Sequence, residues 1–366
     1  MSRKNKEEII SPEQPFNADK HPLGEYHTVG KRGLQRKDGY EKATGYALYT
    51  ADVNLPGQLW LRILTCPFPH ARILEMDTTK AKALPAVWSI LRYDDPELPE
   101  RADMSGHFGQ IGLLPVLSRC GYWQGMPMGI AVVAETEDIA NEALKLIMIE
   151  WEERPFNLDQ EEALKAGAPL SNPEEHPEGN FLLPFRQQST TTVHGDPEKG
   201  FKEAEKIVEW RMRKDKENWV GPERPNGLFR WNGTYPELWL KHQRPHIAKA
   251  QIAKYFNIAT SQVSLHCLYQ GGSFGGWSQM DLNMQPNIIA GILSKRTGRP
   301  VRWQFTRRED FCGAGLDNAR YAIKVGFKMD GTITAVDATS WFTKDGFFHL
   351  GHFHENTRAF LICSRR

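Results

Sequence analysis

The sequence predicts a mixed α/β (α+β) protein, on three observations. The continuous apolar run Gly129 to Ala134 is followed by a helical stripe and then by an alternating strand, so strand, helix and strand succeed one another. The same order returns later, where LWLKHQ (238–243), a helical stretch and Val263 to Tyr269 form a second unit. The chain has 366 residues, 40% of them hydrophobic, which is enough for two principal domains.

The elements follow in order. Residues 1–26 are charged and proline-bearing with no packing periodicity, and are expected to be a polar extension. Residues 27–155 form the first domain. Gln58 to Thr65 reads as a strand, and Gly129 to Ala134 as a strand buried on both faces. Thr136 caps a helix whose stripe is Ile139, Ala143 and Leu146. Ile147, Ile149 and Trp151 then alternate with polar neighbours. Residues 156–190 are rich in proline and poor in periodicity, the texture of a linker.

Residues 191–366 form the second domain. Val208, Trp210 and Met212 alternate with charged residues, which predicts a half-buried strand. His246 to Phe256 places Ala248, Ile252, Tyr255 and Phe256 on one helical face. Asp281 to Thr297 reads as a helix interrupted early by Pro286 and stopped by Gly298 with Pro300 beyond. Ile323, Val325 and Phe327 lead to Asp330-Gly331, a hairpin turn with Ile333 and Val336 on the return strand.

Bulk properties exclude several functions. Forty-six Lys and Arg balance forty-five Asp and Glu, so no net field gathers nucleic acid or an anionic membrane. No apolar run reaches eighteen residues and the start carries no signal-like stretch, so a cytoplasmic protein is expected. Cys66, Cys120, Cys267, Cys312 and Cys363 are dispersed and form no CxxC pair. They provide neither a disulfide framework nor an iron–sulfur site, so electrons from any redox chemistry here would leave through another chain.

The sharpest local feature is Gly271-Gly272-Ser273-Phe274-Gly275-Gly276, between a strand and a helix. Four glycines in six residues let backbone N–H groups approach a phosphate or an acceptor-rich heterocycle. A tight connection with close packing explains the same glycines. The pattern is neither GxGxxG nor a phosphate loop, since Ser273, ahead of Phe274, stands where the first needs its second glycine and no Lys-Ser or Lys-Thr completes the second. Gln243-Arg244-Pro245-His246 stands one strand-helix-strand unit earlier, so Gln243 and Phe274 can meet at one edge of a sheet. Its amide can donate to an oxo group or accept from a ring N–H, where a carboxylate would repel the oxo. His349, His352 and His354 with Glu355 could ligate zinc or iron, although Gly351 and Phe353 oppose a helix there, and loop histidines near a substrate entrance explain them as well.

The chain resembles the large subunit of the molybdenum hydroxylases, the xanthine dehydrogenase and aldehyde oxidase family. The resemblance is carried by the Gln-x-Pro-His element, the GGSFGG loop at a similar separation, and the helix ending in KRTGRPVRW. In the N-terminal half it is carried by Asp38-Gly39, Thr44-Gly45, Leu55-Pro56-Gly57, Pro69-His70-Ala71-Arg72-Ile73 and Gly125-Met126-Pro127. It covers about residues 28–345. It implies a hammerhead domain followed by the first part of a molybdopterin-binding domain. It also implies a molybdenum–molybdopterin cofactor, in the cytosine dinucleotide form, held by Gln243 and by Gly271, Gly272, Ser273, Phe274 and Gly275. Ser273 replaces the usual third glycine, and Trp277 and Ser278 depart from the pattern of purine-oxidising members. Pro222-Glu223 falls where members often carry an acidic element beside the active-site channel, so the resemblance makes Glu223 a weaker catalytic candidate, with a buried paired carboxylate as the alternative.

In that family a glutamate acting as general base comes from the last third of a longer chain. The resemblance therefore implies either a truncated chain or, the expectation favoured, a split subunit with its second half, base included, on another molybdopterin-binding chain. Further partners would carry 2Fe-2S clusters and FAD. The expected reaction is hydroxylation or dehydrogenation of an activated carbon, with water as oxygen source. The alternatives are a molybdenum-dependent hydratase or alcohol dehydrogenase acting on a cyclic enone or ketone, a non-catalytic scaffold, and a metal hydrolase built on the three histidines.

Overall fold

The computed structural model describes residues 35–98, 102–103, 113–114, 116–174, 177, 179–180, 191–215, 217–218, 220–274, 284–312, 315–316, 319–342 and 358–361. The chain divides into two compact units, Met1–Ala47 and Leu48–Arg366. In the first, the described residues hold the short helix Gly39–Thr44, closed by Gly45 at φ 80°, with Asp38 paired to Lys42 at 2.6 Å.

The second unit is built on a mixed seven-stranded sheet in the order Ser264–His266, Tyr235–Leu240, Asn226–Asn232, Val301–Gln304, Leu59–Thr65, Pro127–Ala134, Val87–Arg92. The parallel pairing of Leu59 with Val301 and Leu61 with Trp303 makes one layer out of strands from the 27–155 and 191–366 segments. Pro127–Ala134 is buried at every position because both its faces are covered. Ala131 and Val133 join the main core with Ile289 and Trp303, while Ile130 and Val132 pack against Ala81, Ala143 and Ile147 on the other side. That double burial is why the strand reads as an unbroken apolar run.

Helix Glu137–Leu146 is capped as expected, with Thr136 Oγ1 accepting from Ile139 N–H at 3.2 Å. Its buried residues are Ala140 and Ala143 rather than Ile139 and Leu146, since small side chains let the helix lie close to the sheet. Helix Met284–Thr297 is buried from Met284 through Ser294 and runs unbroken. Pro286 therefore does not interrupt it. It stands in the first turn, where its missing N–H would have no intrahelical partner. A helix buried all round must satisfy its polar side chains internally. Asn287 Oδ1 accepts from Trp303 Nε1 at 3.0 Å, and Gln285 Nε2 donates to Val116 O at 2.7 Å. Gly227 makes room for the first of these, since a Cβ there would lie 2.5 Å from Trp303 Nε1.

Lys206–Lys214, Ala319–Phe327, Ile333–Phe342, Arg358–Leu361 and Thr191–Val193 form a second, five-stranded sheet. The hairpin at Asp330-Gly331 is present, with Gly331 at φ 88°. Val208, Trp210 and Met212 stand opposite Val325, Ile323 and Tyr321 on one apolar face. That face is less covered than the alternation predicts, for Trp210 and Met212 are 39% and 45% exposed. The proline-rich segment read as a linker holds the short helix Gln160–Ala163, where Asp159 Oδ1 accepts from Glu161 and Glu162 N–H and so makes a cap despite the poor periodicity. Among the described residues no helix is long and apolar enough to cross a membrane.

Arg302 is 2% exposed and ties the sheet to the turn at 50–53. It donates to the carbonyls of Ala51 at 3.1 Å, Thr50 at 3.4 Å and Val53, and its guanidinium lies 5.5 Å from the Trp60 ring centroid. Burial lowers its pKa. Arg302→Met keeps most of the volume but strands the carbonyls of Ala51 and Val53, Thr50 O still accepting from Val53 N–H, and is expected to cost about 3 kcal/mol in urea unfolding. A loss below about 1 kcal/mol would mean that water replaces the guanidinium.

Candidate cofactor site

The polarity of the large sheet gathers the candidate residues at one end. Tyr235–Leu240 and Ser264–His266 run parallel, with Glu237 opposite Ser264 and Trp239 opposite His266. Helix Pro245–Tyr255 connects them. The loops that leave the two strands, 241–244 and 267–274, therefore emerge on the same side. Asn226–Asn232 is antiparallel to Tyr235–Leu240, with Gly227 opposite Leu240, so the 221–225 segment enters at that end too. Asn226 also stands opposite Gln304, which brings helix Arg307–Cys312 there. Crevices outside the carboxyl ends of parallel strands are where such sheets bind ligands.

Glu223 braces the glycine loop. Its Oε2 accepts from Gly271 N–H at 2.8 Å, and its own N–H donates to Gly271 O at 3.0 Å. Oε1 accepts from Asn226 Nδ2 at 3.1 Å. Both carboxylate oxygens are thus held by the protein, the arrangement of a strut. The two backbones lie close: a Cβ on Gly221 would be 2.3 Å from Gly272 O, and one on Gly271 would be 2.5 Å from Glu223 Cβ. Gly272 turns at φ 90° and Phe274 at φ 50°, with the Phe274 ring 65% exposed. A phenylalanine in the left-handed region is strained, and strain of this kind collects at ligand sites.

A partly buried charged layer backs the 221–224 segment. Lys241, 4% exposed, donates from Nζ to Glu223 O. Arg307 donates to Gly221 O at 2.7 Å, Pro222 O at 2.9 Å and Asp310 Oδ2 at 2.7 Å. Burial pushes the Asp310 carboxyl up and the Lys241 ammonium down, each partly offset by the opposite charges around it. The layer's work is mechanical, holding backbone carbonyls in place.

Gln243 is exposed on the 241–244 loop rather than at the end of a strand, since its strand stops at Leu240. Beside it His242, 2% exposed, accepts from Arg244 N–H at Nδ1, 2.9 Å away, and burial lowers its pKa to about 4. Gln270 crosses between the loops, with Nε2 2.7 Å from His242 O and Oε1 3.2 Å from Ser273 Oγ.

Gln243, Gly271, Gly272, Ser273, Phe274 and Glu223 are therefore brought to one end of the sheet. Gly275, Trp277, Ser278, His349, His352 and His354 lie outside the described residues. Among the described residues no group of three or more His, Cys, Asp or Glu could hold a metal ion. Gly221, Lys241, Gln270, Arg307 and Asp310 escaped sequence reasoning. Gln270 was the one with a local signal, an amide placed directly before the glycine run.

The chain has counterparts among known proteins. Residues 177–360 match the molybdopterin cofactor-binding domain family, and residues 44–155 the a/b hammerhead domain of aldehyde oxidase and xanthine dehydrogenase. The chain is 29% identical over 321 residues to a probable xanthine dehydrogenase subunit of Bacillus subtilis, covering 84% of this chain and 39% of the relative. It is 26% identical to the nicotinate dehydrogenase large molybdopterin subunit of Eubacterium barkeri, covering 85% of this chain and 69% of that one. The solved quinoline 2-oxidoreductase of Pseudomonas putida 86 superposes with a TM-score of 0.72 at 25% identity, covering 84% of this chain and 38% of that structure. The chain thus spans about two fifths of the length of the Bacillus and Pseudomonas proteins.

Proposed function

The chain belongs to the molybdopterin-binding subunits of the xanthine dehydrogenase and aldehyde oxidase family, and from that premise we propose that it forms one wall of a molybdenum–molybdopterin site. The observation that carries the reading is the convergence of the Gln243 loop and the braced glycine loop at the carboxyl end of two parallel strands.

The residues fit the cofactor. A backbone without Cβ atoms at Gly271 and Gly272, turning left-handed at Gly272 and Phe274, suits the approach of phosphate and pterin acceptors. The Gln243 amide beside it can donate to an oxo group or accept from a pterin N–H. The buried acceptor Asn226 Oδ1 has no hydrogen-bond partner among the described residues and stands behind the brace, where a ligand-site water or N–H donor would satisfy it. When bound, the cofactor would supply the redox chemistry that hydroxylates or dehydrogenates an activated carbon. The residues of this chain would grip and orient it. Glu223, with both oxygens engaged, keeps the loop in shape and leaves the general base to be supplied elsewhere.

In finer detail, the chain would work within a multi-subunit oxidoreductase. A second molybdopterin-binding chain would supply the base, and further subunits would carry 2Fe-2S clusters and FAD. The cytosine dinucleotide form of the cofactor belongs to the same reading, as do aldehydes, N-heterocycles and related electrophilic carbons as substrates. Two observations favour a partner chain. The Eubacterium relative, of which this chain covers 69%, is named as a subunit. The apolar face of the five-stranded sheet leaves Trp210 and Met212 open to cover by a neighbour.

The test is to purify the chain with whatever accompanies it and measure molybdenum, pterin and turnover, then repeat with the chain alone. Full activity of the isolated chain would sink the two-chain reading, and a complex without molybdenum or pterin would sink the cofactor reading. Gln243→Ala is expected to cost about 1–3 kcal/mol of cofactor or transition-state binding, and Gln243→Glu more, because a carboxylate would face an oxo group. Unchanged molybdenum content and turnover in both variants would remove Gln243 from the site.

A further inference from the structure

Gln270 ties the two loops together. One end of its amide donates to the carbonyl of His242, the neighbour of Gln243, at 2.7 Å. The other end accepts from Ser273 Oγ, in the middle of the glycine loop, at 3.2 Å. Cys267 Sγ–H is aimed at the same His242 carbonyl from 3.3 Å and lies 3.4 Å from Gln270 Nε2. The amide is the side-chain group suited to this bridge, since it offers a donor and an acceptor at once. Glutamate would turn an oxygen against the His242 carbonyl, and leucine would offer nothing to either loop. The hydroxyl comes from the one position in Gly271-Gly272-Ser273-Phe274 where the loop departs from glycine in favour of a polar side chain.

We propose that Gln270 and Ser273 form a clasp that sets the separation between the Gln243 turn and the glycine loop, making both positioning residues for a ligand gripped by the two loops together. The clasp rests on the cofactor reading above. A ligand that bridges two loops binds best when their spacing is fixed beforehand, because ordering them on binding would cost affinity. Glu223 holds the glycine loop against the 221–225 segment, whereas the clasp holds it against Gln243.

The experiment compares Gln270→Leu, Ser273→Ala, Ser273→Thr and the Gln270→Leu/Ser273→Ala double variant in the complex as purified. It follows the molybdenum and pterin retained on dilution and the amide hydrogen exchange of 241–244 and 270–274. Ser273→Ala should weaken retention about fivefold, the equivalent of one hydrogen bond of about 1 kcal/mol, and Ser273→Thr should restore it. Although Ser273 lies in the other loop, its loss should also speed exchange at 241–244, which a purely local turn contact would not do. The double variant should lose less than the sum of the two single losses, because Gln270→Leu already removes the hydrogen bond that Ser273→Ala deletes. Wild-type retention and exchange in Ser273→Ala, or losses that simply add, would overturn the clasp. Absence of molybdenum and pterin from the wild-type complex would instead overturn the cofactor reading, and the exchange of 241–244 would then decide the clasp by itself.

Discussion

Gly221→Ala is expected to dismantle the glycine loop while leaving the large sheet folded. The new Cβ would lie 2.3 Å from Gly272 O and 2.9 Å from Gly272 C, both backbone atoms that no side-chain rotation can move away. Relief requires about an ångström of separation between the two segments, and overpacking of this kind costs about 1–3 kcal/mol. The reciprocal pair between Glu223 and Gly271, at 2.8 and 3.0 Å, lies across the same gap and should break, adding about 1 kcal/mol for each bond. Arg307 resists the alternative movement of 221–222, since it holds the carbonyls of Gly221 and Pro222. Denaturant unfolding should show a loss of about 3–5 kcal/mol, by the same reckoning. Bound molybdenum should fall further than stability alone accounts for. Wild-type stability together with wild-type molybdenum would show that the loops can slide apart at no cost.

Acid should weaken the protein over a window set by His242. Burial holds its pKa at about 4 against an ordinary 6.5, so the folded chain keeps the ring neutral where the unfolded chain takes up a proton. The contribution to stability is complete above pH 6.5 and is lost as the pH falls from there to about 4. A depression of that size corresponds to about 3 kcal/mol. Protonation would also destroy the acceptor that Arg244 N–H uses, loosening the turn that carries Gln243. Asp310 acts with the opposite sign, since burial raises its pKa and its penalty fades as it protonates. His242→Asn separates the two, because the amide oxygen can still accept from Arg244 without titrating. Unfolding free energies measured between pH 7 and pH 4 should fall less steeply in His242→Asn by about that amount. Parallel pH profiles would assign the acid sensitivity to other groups.

Much of the fold could be read from local order. Leu59–Thr65, Pro127–Ala134 and Lys206–Lys214 announce themselves by alternation or by unbroken apolar character, and Thr136 by its place before a helical stripe. Errors arose where covering decided the outcome. Trp210 and Met212 alternate correctly, yet alternation says which side chains share a face and nothing of whether another layer lies on it. Pro286 reads as a break from sequence because its distance from the first turn depends on where the helix starts.

Within the site, the order of residues was enough to bring Gln243 and the glycine loop together, because a strand, a helix and a parallel strand return the chain to the same edge of the sheet. It was also enough, through the resemblance of many ordered elements, for the family. Three-dimensional packing was needed to place Gly221, Glu223, Lys241, Arg307 and Asp310 behind that meeting point, and to lay Gln270 across it. Arg307 and Asp310 reach it on the helix after Val301–Gln304, a strand that pairs with Asn226–Asn232 although it is distant from it in the chain. Periodicity reports on neighbours within a turn or a pleat, whereas hydrogen bonds between loops follow from strand pairing, which no local pattern encodes.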